Sequence, residues 1–414
     1  MPSLKTLGAI GGAVAIAACW PLAVGQLAQN QIEKQIANLD PSAVKVELLS
    51  YDRGYLSSQA QTQVTVIDPN LKQMLTGSKI PTAFKINHAI SHGIWSVSSH
   101  SDLDAAKIPA QLDTTTYLTG SSDLHFRLDN FEQTFEDNSK VNFKPLTVDL
   151  NLKSKGNIDL SYQSEGLDIL LSDQESLKAS AFNGGAQGFK QGSFWIGSQH
   201  VDFDTIALKS DQQPDMTIDG LSYQYQTDLT DEESRLTNQS IAKAKSIDYQ
   251  NLKFEDLDFE FGINNVDSQA FTKLVELLQS AQAPDAQQTK QMMDYVNVLF
   301  AQGFDAGIKK FDVKLGEGQV KSQWNVTFPE NSPSPTKSPL KLVTSMTVDT
   351  DTLVTEEILT QFPELKPNFD KLIKLNMMEK TEQGYVLKGR MEDGTMTFSN
   401  GTSMPYMMLA AMFF

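Results

Sequence analysis

Histidine is the residue type in this chain best suited to metal binding and to acid–base chemistry near neutral pH. The chain has five histidines, and only His88 and His92 show a spacing that metal sites use. Two histidines four residues apart share one face of a helix. Gly93 and the strand-prone residues 94–97 follow directly, so a helix is not expected here. The sequence therefore predicts no metal site.

Other catalytic patterns are missing from the sequence. No glycine-rich loop is followed by the Gly-Lys-Ser/Thr of a phosphate site, and no Gly-x-Ser-x-Gly supplies a serine nucleophile. The single cysteine, Cys19, lies in an apolar N-terminal run. Alternating carboxylates such as Asp256, Asp258 and Glu260 are typical of a solvated strand face that resists sheet-to-sheet aggregation. We therefore expect no catalytic residue, no cofactor and no enzymatic activity.

Charge excludes another class of function. The 414 residues include 51 acidic and 34 basic ones, which gives a formal net charge of −17. Nucleic-acid-binding proteins need a basic surface, so neither DNA nor RNA is an expected partner. Between Asp202 and Glu260, 14 acidic residues stand against 5 basic ones. This segment predicts a solvated acidic face or a docking patch for a basic partner.

The N-terminus predicts a membrane anchor. Residues 7–24 carry no charge and follow Lys5. A helix of about 18 residues is about 27 Å long, which is just enough to cross a bilayer. We interpret residues 1–26 as a signal anchor with the rest of the chain outside the cytoplasm, and residues 27–40 as a polar membrane-proximal helix. Two alternatives remain: lipidation of Cys19, because residues 16–19 resemble a lipobox, and ordinary cleavage.

From residue 41 onward the apolar pattern has a period of two, which places alternate side chains on one buried face of a sheet. The clearest stretches are 145–153, 257–263, 320–328 and 340–348. Short polar turns favour antiparallel hairpins, and no repeating βαβ pattern occurs. Helical spacing interrupts the strands near 267–303 and 352–377. The predicted fold is a β-rich α+β body over residues 41–414, with a long, curled, mainly antiparallel sheet and a few helices, after an N-terminal transmembrane helix.

Three short segments resemble a known family. They contain, in chain order, Tyr51, Arg53, Gly54 and Ser57, then His92 and Gly93, then Asn400 and Gly401. Their order and spacing resemble the YdgA-like family of uncharacterised envelope proteins of Gram-negative bacteria. The resemblance implies a periplasmic body that is anchored in the inner membrane and can form a homodimer. It implies no particular activity.

The first of these segments predicts a structural role for its residues. Tyr51-x-Arg53-Gly54 indicates a turn between two strands. In such a turn we expect Gly54 to adopt a positive φ and Arg53 to bind a carboxylate or backbone carbonyls.

Two functions of different classes follow from the sequence. The first is a non-enzymatic envelope protein that acts as a scaffold, or as an amphipathic groove for lipid or a partner protein, and the groove requires a continuous apolar face. The alternative is an envelope hydrolase whose carboxylates and histidines come together from distant segments, which requires a polar pocket with a strongly shifted pKa. The apolar residues 404–414 are expected to dock onto the body, or to cap a groove or a dimer seam.

Overall fold

The computed structural model describes residues 44–68, 72, 81–102, 109–134, 138–172, 174–191, 194–230, 234–280 and 285–413. The predicted signal anchor with Cys19 and the predicted helix at 27–40 lie outside these residues. Among the described helices, none is long and apolar enough to cross a membrane. Unit 1 comprises Met1–Gln187 and Phe203–Asp215, and unit 2 comprises Gly188–Asp202 and Met216–Phe414. The contacts within the chain group its residues into these two compact units.

Unit 1 is built from antiparallel hairpins. Its strands are β1 Val44–Arg53, β2 Ser57–Val66, β3 Ala83–His92, β4 Ser96–Asp102, β5 Ala110–Tyr117, β6 Ser122–Leu128, β7 Phe131–Thr134, β8 Lys140–Phe143, β9 Leu146–Leu152 and β10 Ile158–Leu170. β1 to β6 pair in chain order, β6 pairs with β9, and β9 pairs with β10. β8 pairs with both β10 and β7. Two further strands, β11 Ser176–Gln191 and β12 Phe194–Lys209, contribute residues to both units.

The period of two sorts the side chains of unit 1 into a buried and an exposed face. Burial alternates along the first eight residues of β3, where Phe84, Ile86, His88 and Ile90 are buried. Ile86 and Val64 of the neighbouring strand are fully buried. Because alternate side chains of a strand point to opposite faces, each hairpin contributes one row to the core and one to the surface.

Unit 2 contains a second antiparallel arrangement. Its strands are β13 Met216–Thr230, β14 Arg235–Tyr249, β15 Leu252–Asp267, β16 Phe304–Leu315, β17 Gly318–Phe328, β18 Thr347–Val354, β19 Glu379–Thr381, β20 Gly384–Glu392, β21 Thr395–Phe398 and β22 Ser403–Pro405. β13 to β18 pair in chain order, followed by β20, β21 and β22, and β19 pairs with β20. Its helices are α1 Ser268–Ser280, α2 Ala286–Gln302, α3 Pro339–Ser345, α4 Glu356–Gln361, a 3-10 turn Pro363–Leu365, α5 Lys366–Lys374 and α6 Tyr406–Phe413.

Two helical covers, α1–α2 and α4–α5, pack on the apolar face of the unit 2 strands. In the first, Phe271 of α1 packs against Leu236 and Val266. In the second, Ile358 of α4 packs against Leu315. The covers lie near opposite ends of the strands, because Phe304 at the start of β16 belongs to the first cluster and Leu315 at its end belongs to the second.

β16 contains a β-bulge between Ile308 and Phe311. Ile308 pairs with Trp324, and Phe311 pairs with Ser322 two residues earlier in β17. Residues 309 and 310 therefore share the space opposite a single residue of β17. Because β16 has one residue more than β17 at this point, Ile308 and Phe311 lie on the same face of the sheet.

The β-rich α+β class and the mainly antiparallel pairing are confirmed in the part of the chain that the structure describes. α1 begins after Asp267, whose Oδ1 accepts a hydrogen bond of 2.7 Å from the Ala270 backbone N–H, and α2 ends at Gly303 with φ +72°. Within the predicted helical stretch 352–377, the first helix begins at Glu356. Residues 352–354 instead complete β18, which pairs with both β17 and β20.

The expectation of a continuous strand over 340–348 is wrong for its first half. Pro339 begins α3, which extends to Ser345, and β18 begins at Thr347. Proline is well suited to the first turn of a helix, because the N–H that it lacks would have no intrahelical partner there. Leu342 is the buried residue of α3. A short apolar run of this kind fits helical and strand spacing alike.

Candidate functional site

Four hairpin tips of unit 1 lie at one edge of its sheet. They are residues 54–56 between β1 and β2, 93–95 between β3 and β4, 118–121 between β5 and β6, and 153–157 between β9 and β10. Hydrogen bonds connect the first three: the His92 N–H donates to the Leu56 carbonyl at 2.8 Å, and the Leu118 N–H donates to the Trp95 carbonyl at 3.1 Å. The fourth is adjacent because β6 pairs with β9, Ser122 opposite Leu152. We call these four tips the tip row.

The first two of the segments that resemble the YdgA-like family form neighbouring turns of the tip row. The Gly54 N–H donates to the Ser57 carbonyl, and the Gly93 N–H donates to the Ser96 carbonyl, both at 2.8 Å. A Cβ added to Gly54 would clash with the Ser57 carbonyl oxygen, and one added to Gly93 would lie 2.8 Å from that of Ser96. Each glycine is therefore required by the close approach of the backbone.

The expectation that Gly54 adopts a positive φ is wrong. The glycines of positive φ in the described residues include Gly120, Gly156 and Gly401, and Gly54 is not among them. The turn at Gly54 excludes a side chain through contact with the opposing carbonyl, so the same residue type is required for a different physical reason.

Two more residues of these segments hold the turns to the core of unit 1. The ring of Tyr51 packs against the cluster of Ala60, Ile90 and Val97, and its buried hydroxyl has no hydrogen-bond partner among the described residues. His92 Nε2 shares a hydrogen bond of 2.7 Å with Ser58 Oγ on the adjacent strand. These contacts join β1, β2, β3 and β4 next to the tips.

Arg53 and Ser57 are exposed at the base of the first tip. The Ser57 carbonyl accepts the turn hydrogen bond, while no described residue pairs with the Arg53 guanidinium. Arg53 and its exposed neighbour Asp52 thus place one charge of each sign at the base of this tip.

The tips expose large apolar side chains whose exposure was not predicted from the sequence. The exposed fractions are 96% for Tyr55, 69% for Leu56, 83% for Ile94, 76% for Trp95 and 64% for Leu118. The signal available in the sequence was a bulky apolar pair placed directly after glycine in a turn, where polar residues are usual.

The third family-like segment belongs to unit 2. Asn400 Nδ2 donates to the Asn376 carbonyl at 2.9 Å, and its Oδ1 accepts a hydrogen bond from the Thr402 N–H at 2.9 Å. Gly401 has φ +84°, and its N–H donates to the Phe398 carbonyl at 2.9 Å. This segment is a turn between β21 and β22 that is fixed to the chain after α5.

A second candidate surface lies between the helical covers of unit 2. We call it the apolar strip, and it consists of Tyr225, Phe259, Phe261, Ile308, Phe311 and Trp324. Strand pairing aligns Phe261 with Ile308 and Trp324, and Phe259 with Phe311. The rings of Phe259 and Phe311 are 6.4 Å apart in an edge-to-face arrangement. The strip is half-buried, and Trp324, the most exposed member, is 36% exposed.

The other face of the same strands carries an open cavity of about 630 Å3. Its lining includes three consecutive residues from each of β17, β18 and β20 and three at the end of β21. On β17 the central residue is Trp324, and its neighbours are Gln323 and Asn325. Residues two positions from these central residues, such as Val326 and Val348, have their side chains on the apolar face and do not line the cavity. The cavity therefore lies on the polar face, with the backbone of the central residues as its floor.

Ion pairs occupy this polar cavity. Arg390 Nη1 lies 3.1 Å from Asp349 Oδ1, and Lys388 Nζ lies 2.7 Å from Asp351 Oδ2. Because the four side chains are between 32% and 61% accessible to solvent, each pair adds little to stability. Each of the two carboxylates therefore has a cationic partner within the cavity.

His88, one of the two candidate metal ligands, is a buried core residue. Its Nε2 shares a hydrogen bond with Thr62 Oγ1 and its Nδ1 shares one with Ser101 Oγ, both at 2.8 Å. Burial lowers the pKa of His88 to about 4. Within the described ranges, no group of three His, Cys, Asp or Glu residues could hold a metal ion.

These features define a β-rich α+β protein of antiparallel hairpins whose surface carries an apolar tip row and an apolar strip. The chain belongs to DUF945, a family described as bacterial protein of unknown function, and the match extends over residues 4–407. No curated protein and no solved structure matches the chain.

Proposed function

We propose that this member of DUF945 is a non-enzymatic protein of the Gram-negative envelope that binds a hydrocarbon chain of a lipid along the apolar strip. The proposal includes anchorage in the inner membrane through residues 1–26, with the body in the periplasm, as the YdgA-like resemblance implies. The observation that carries it is a row of half-buried aromatic side chains left open between two helical covers. Such a face supports binding of an apolar ligand, because its contact with water is unfavourable.

The dimensions of the strip favour a lipid chain over a folded partner. It extends from β13 to β17, roughly 19 Å at about 4.8 Å per strand. On β14 the same face carries Ser240 between Tyr225 and Phe261, and Ala242 beside Phe259. It is two rows of side chains wide, roughly 7 Å, because residues on one face repeat every second position. A helix with its side chains is about 10–12 Å across and is therefore wider than the strip. One extended hydrocarbon chain matches this long and narrow surface.

The polar cavity does not favour the alternative of an envelope hydrolase. Its two aspartates are paired with Arg390 and Lys388, and they face solvent. His88, whose pKa is lowered to about 4, is buried and enclosed by Thr62 and Ser101 in unit 1. The accessible acid–base groups whose pKa is raised, His100 beside Asp113 and Glu175 beside Asp211, do not line the polar cavity. The cavity therefore does not bring these groups together as a hydrolase site would require.

Neighbouring residues of β17 provide the test. Trp324 lies in the apolar strip, and Gln323 faces the opposite side, so Trp324→Asp and Gln323→Asp add the same charge to different faces. The full chain is purified gently from an envelope fraction and analysed by native mass spectrometry, and organic extracts are analysed for lipid. We expect stoichiometric lipid with the wild type and with Gln323→Asp, and at least a fivefold loss with Trp324→Asp.

Two results would overturn the proposal. One is a wild-type chain free of lipid, and the other is equal lipid in the two variants. Circular dichroism of both variants must show that they remain folded. A C-terminal alkaline phosphatase fusion tests the periplasmic location separately, because this reporter is active only outside the cytoplasm.

A further inference from the structure

We propose that the tip row of unit 1 is a docking edge for a phospholipid bilayer. In this arrangement the apolar tips enter the interfacial region of the membrane, and the lysines of the fourth tip contact lipid phosphates. The inference does not depend on the apolar strip, since it rests on different residues in a different unit.

Exposure of the tips is the first observation. Single exposed apolar residues are common on proteins, but a contiguous group marks an interaction surface. Here Tyr55 and Leu56 stand beside Ile94 and Trp95, with Leu118 next in the row, and all are more than 60% exposed. The hydrogen bonds between the tips hold these side chains in one line.

The residue types are the second observation. Tyrosine and tryptophan combine an apolar ring with a polar group, and both are enriched where a membrane meets water. Leucine and isoleucine supply the apolar contact. The tip row therefore has the composition of an interfacial membrane contact.

Charge is the third observation. The tip row contains no aspartate or glutamate, although the chain has 51 of them. It contains Lys153 and Lys155, both exposed. Arg53, next to the first tip, is balanced by its neighbour Asp52, so the positive charge belongs to the fourth tip. The tips themselves are thus positive on a protein of net charge −17. A positive, apolar edge complements the phosphates and hydrocarbon of a bilayer.

The form of the edge favours a bilayer over a protein partner. Stable protein interfaces involve roughly 20–30 residues on each side. The tip row presents one line of turns, and its apolar residues come from three of them. Such an edge can enter a fluid surface, which adapts to it, whereas it offers too little area for a stable rigid partner.

A fluorescent probe at the tip tests the proposal on the full chain. Cys19→Ser removes the native cysteine, and Ile94→Cys places a new one in the second tip for labelling with a nitrobenzoxadiazole dye. The matched control is Asn130→Cys, because Asn130 is exposed and follows the other end of β6. Both proteins are reconstituted into vesicles of phosphatidylethanolamine and phosphatidylglycerol that contain a spin-labelled lipid. We expect at least threefold stronger quenching at position 94 than at position 130.

A second measurement tests whether the lysines of the fourth tip contribute to membrane contact. With the probe at position 94, Lys153→Glu together with Lys155→Glu should reduce quenching at least twofold in vesicles that contain phosphatidylglycerol. Circular dichroism establishes that each variant is folded.

Equal quenching at positions 94 and 130 would overturn the proposal. It would also fail if quenching were absent and the emission at position 94 shifted with the protein-to-lipid ratio, because the tips would then be packing against a second copy of the chain.

Discussion

Two histidines of unit 1, His88 and His100, have opposite environments and make opposite pH-dependent contributions to stability. His88 is buried and its pKa is lowered to about 4, well below the value near 6.5 of an unfolded chain. The folded protein therefore keeps His88 neutral while the unfolded chain takes up a proton. This contribution is complete above about pH 6.5 and is lost as the pH falls toward 4.

We expect His88→Gln to flatten the acid side of the stability profile. Between pH 7 and pH 4.5, the free energy of unfolding of the variant should fall by about 2 kcal/mol less than that of the wild type, because the proton uptake by unfolded His88 is removed. Urea denaturation at each pH measures the difference. Parallel profiles for the two proteins would show that His88 is not the titrating group.

His100 provides the control of opposite sign. A hydrogen bond between its Nδ1 and Asp113 Oδ1, at 2.7 Å, raises its pKa, and Asp102 acts in the same direction. Its contribution is therefore present at acid pH, below the pKa of the unfolded state, and is lost as the pH rises through the folded pKa. His100→Gln should steepen the loss of stability toward acid pH.

At the scale of elements, Arg235 holds the first helical cover to the strands beneath it. Its guanidinium donates to the Gln302 carbonyl at 3.1 Å, to the Gly303 carbonyl at 3.4 Å and to the Asn265 carbonyl at 3.2 Å. Only 12% of the side chain is exposed. One residue of β14 thus joins the end of α2 to the end of β15.

We expect Arg235→Lys to destabilise the protein by about 1–2 kcal/mol, because an ammonium group cannot reach three carbonyls in the fixed geometry of a guanidinium. Thermal denaturation measures the effect. Lys253→Arg, at an exposed position of β15, is the matched control and should leave the transition within about 0.5 kcal/mol of the wild type. Equal transitions for Arg235→Lys and the wild type would refute the role of Arg235.

The elements also show how much of the fold can be predicted from the sequence. Alternating apolar residues predicted β9 and β17 because their pattern depends on local geometry alone. The same pattern failed at residues 340–346, where Pro339 and a buried Leu342 made a helix. The tip row required knowledge of strand order, since residues 56, 95 and 118 become neighbours only through pairing. Arg235 was missed for the same reason, because its partners lie about 30 and 67 residues away in the chain.

On the scale of the whole molecule, net charge opposes the compact state. Some acidic side chains are paired on the strands, as where Asp258 lies 3.4 Å from Lys243 Nζ and 2.5 Å from Lys310 Nζ. The net charge of the whole chain is nevertheless −17 and causes self-repulsion, which dissolved salt screens over a distance of about 10 Å at 0.1 M.

We expect the unfolding midpoint to rise by a few degrees when sodium chloride is raised from 10 mM to 300 mM. Screening relieves the repulsion of the folded chain more than it weakens exposed ion pairs, which contribute little individually. Differential scanning calorimetry measures the shift. A fall in the midpoint would mean that the cross-strand pairs, including those of Asp258, outweigh the repulsion.

The β-bulge in β16 has a consequence for insertions and deletions. Loss of one residue within a regular strand transfers every following side chain to the opposite face of the sheet. In β16, loss of either Lys309 or Lys310 would convert the bulge into a regular strand and leave Ile308 and Phe311 on their present face. Deletion of one residue would disrupt a regular strand, but the sheet can tolerate it at Lys309 or Lys310.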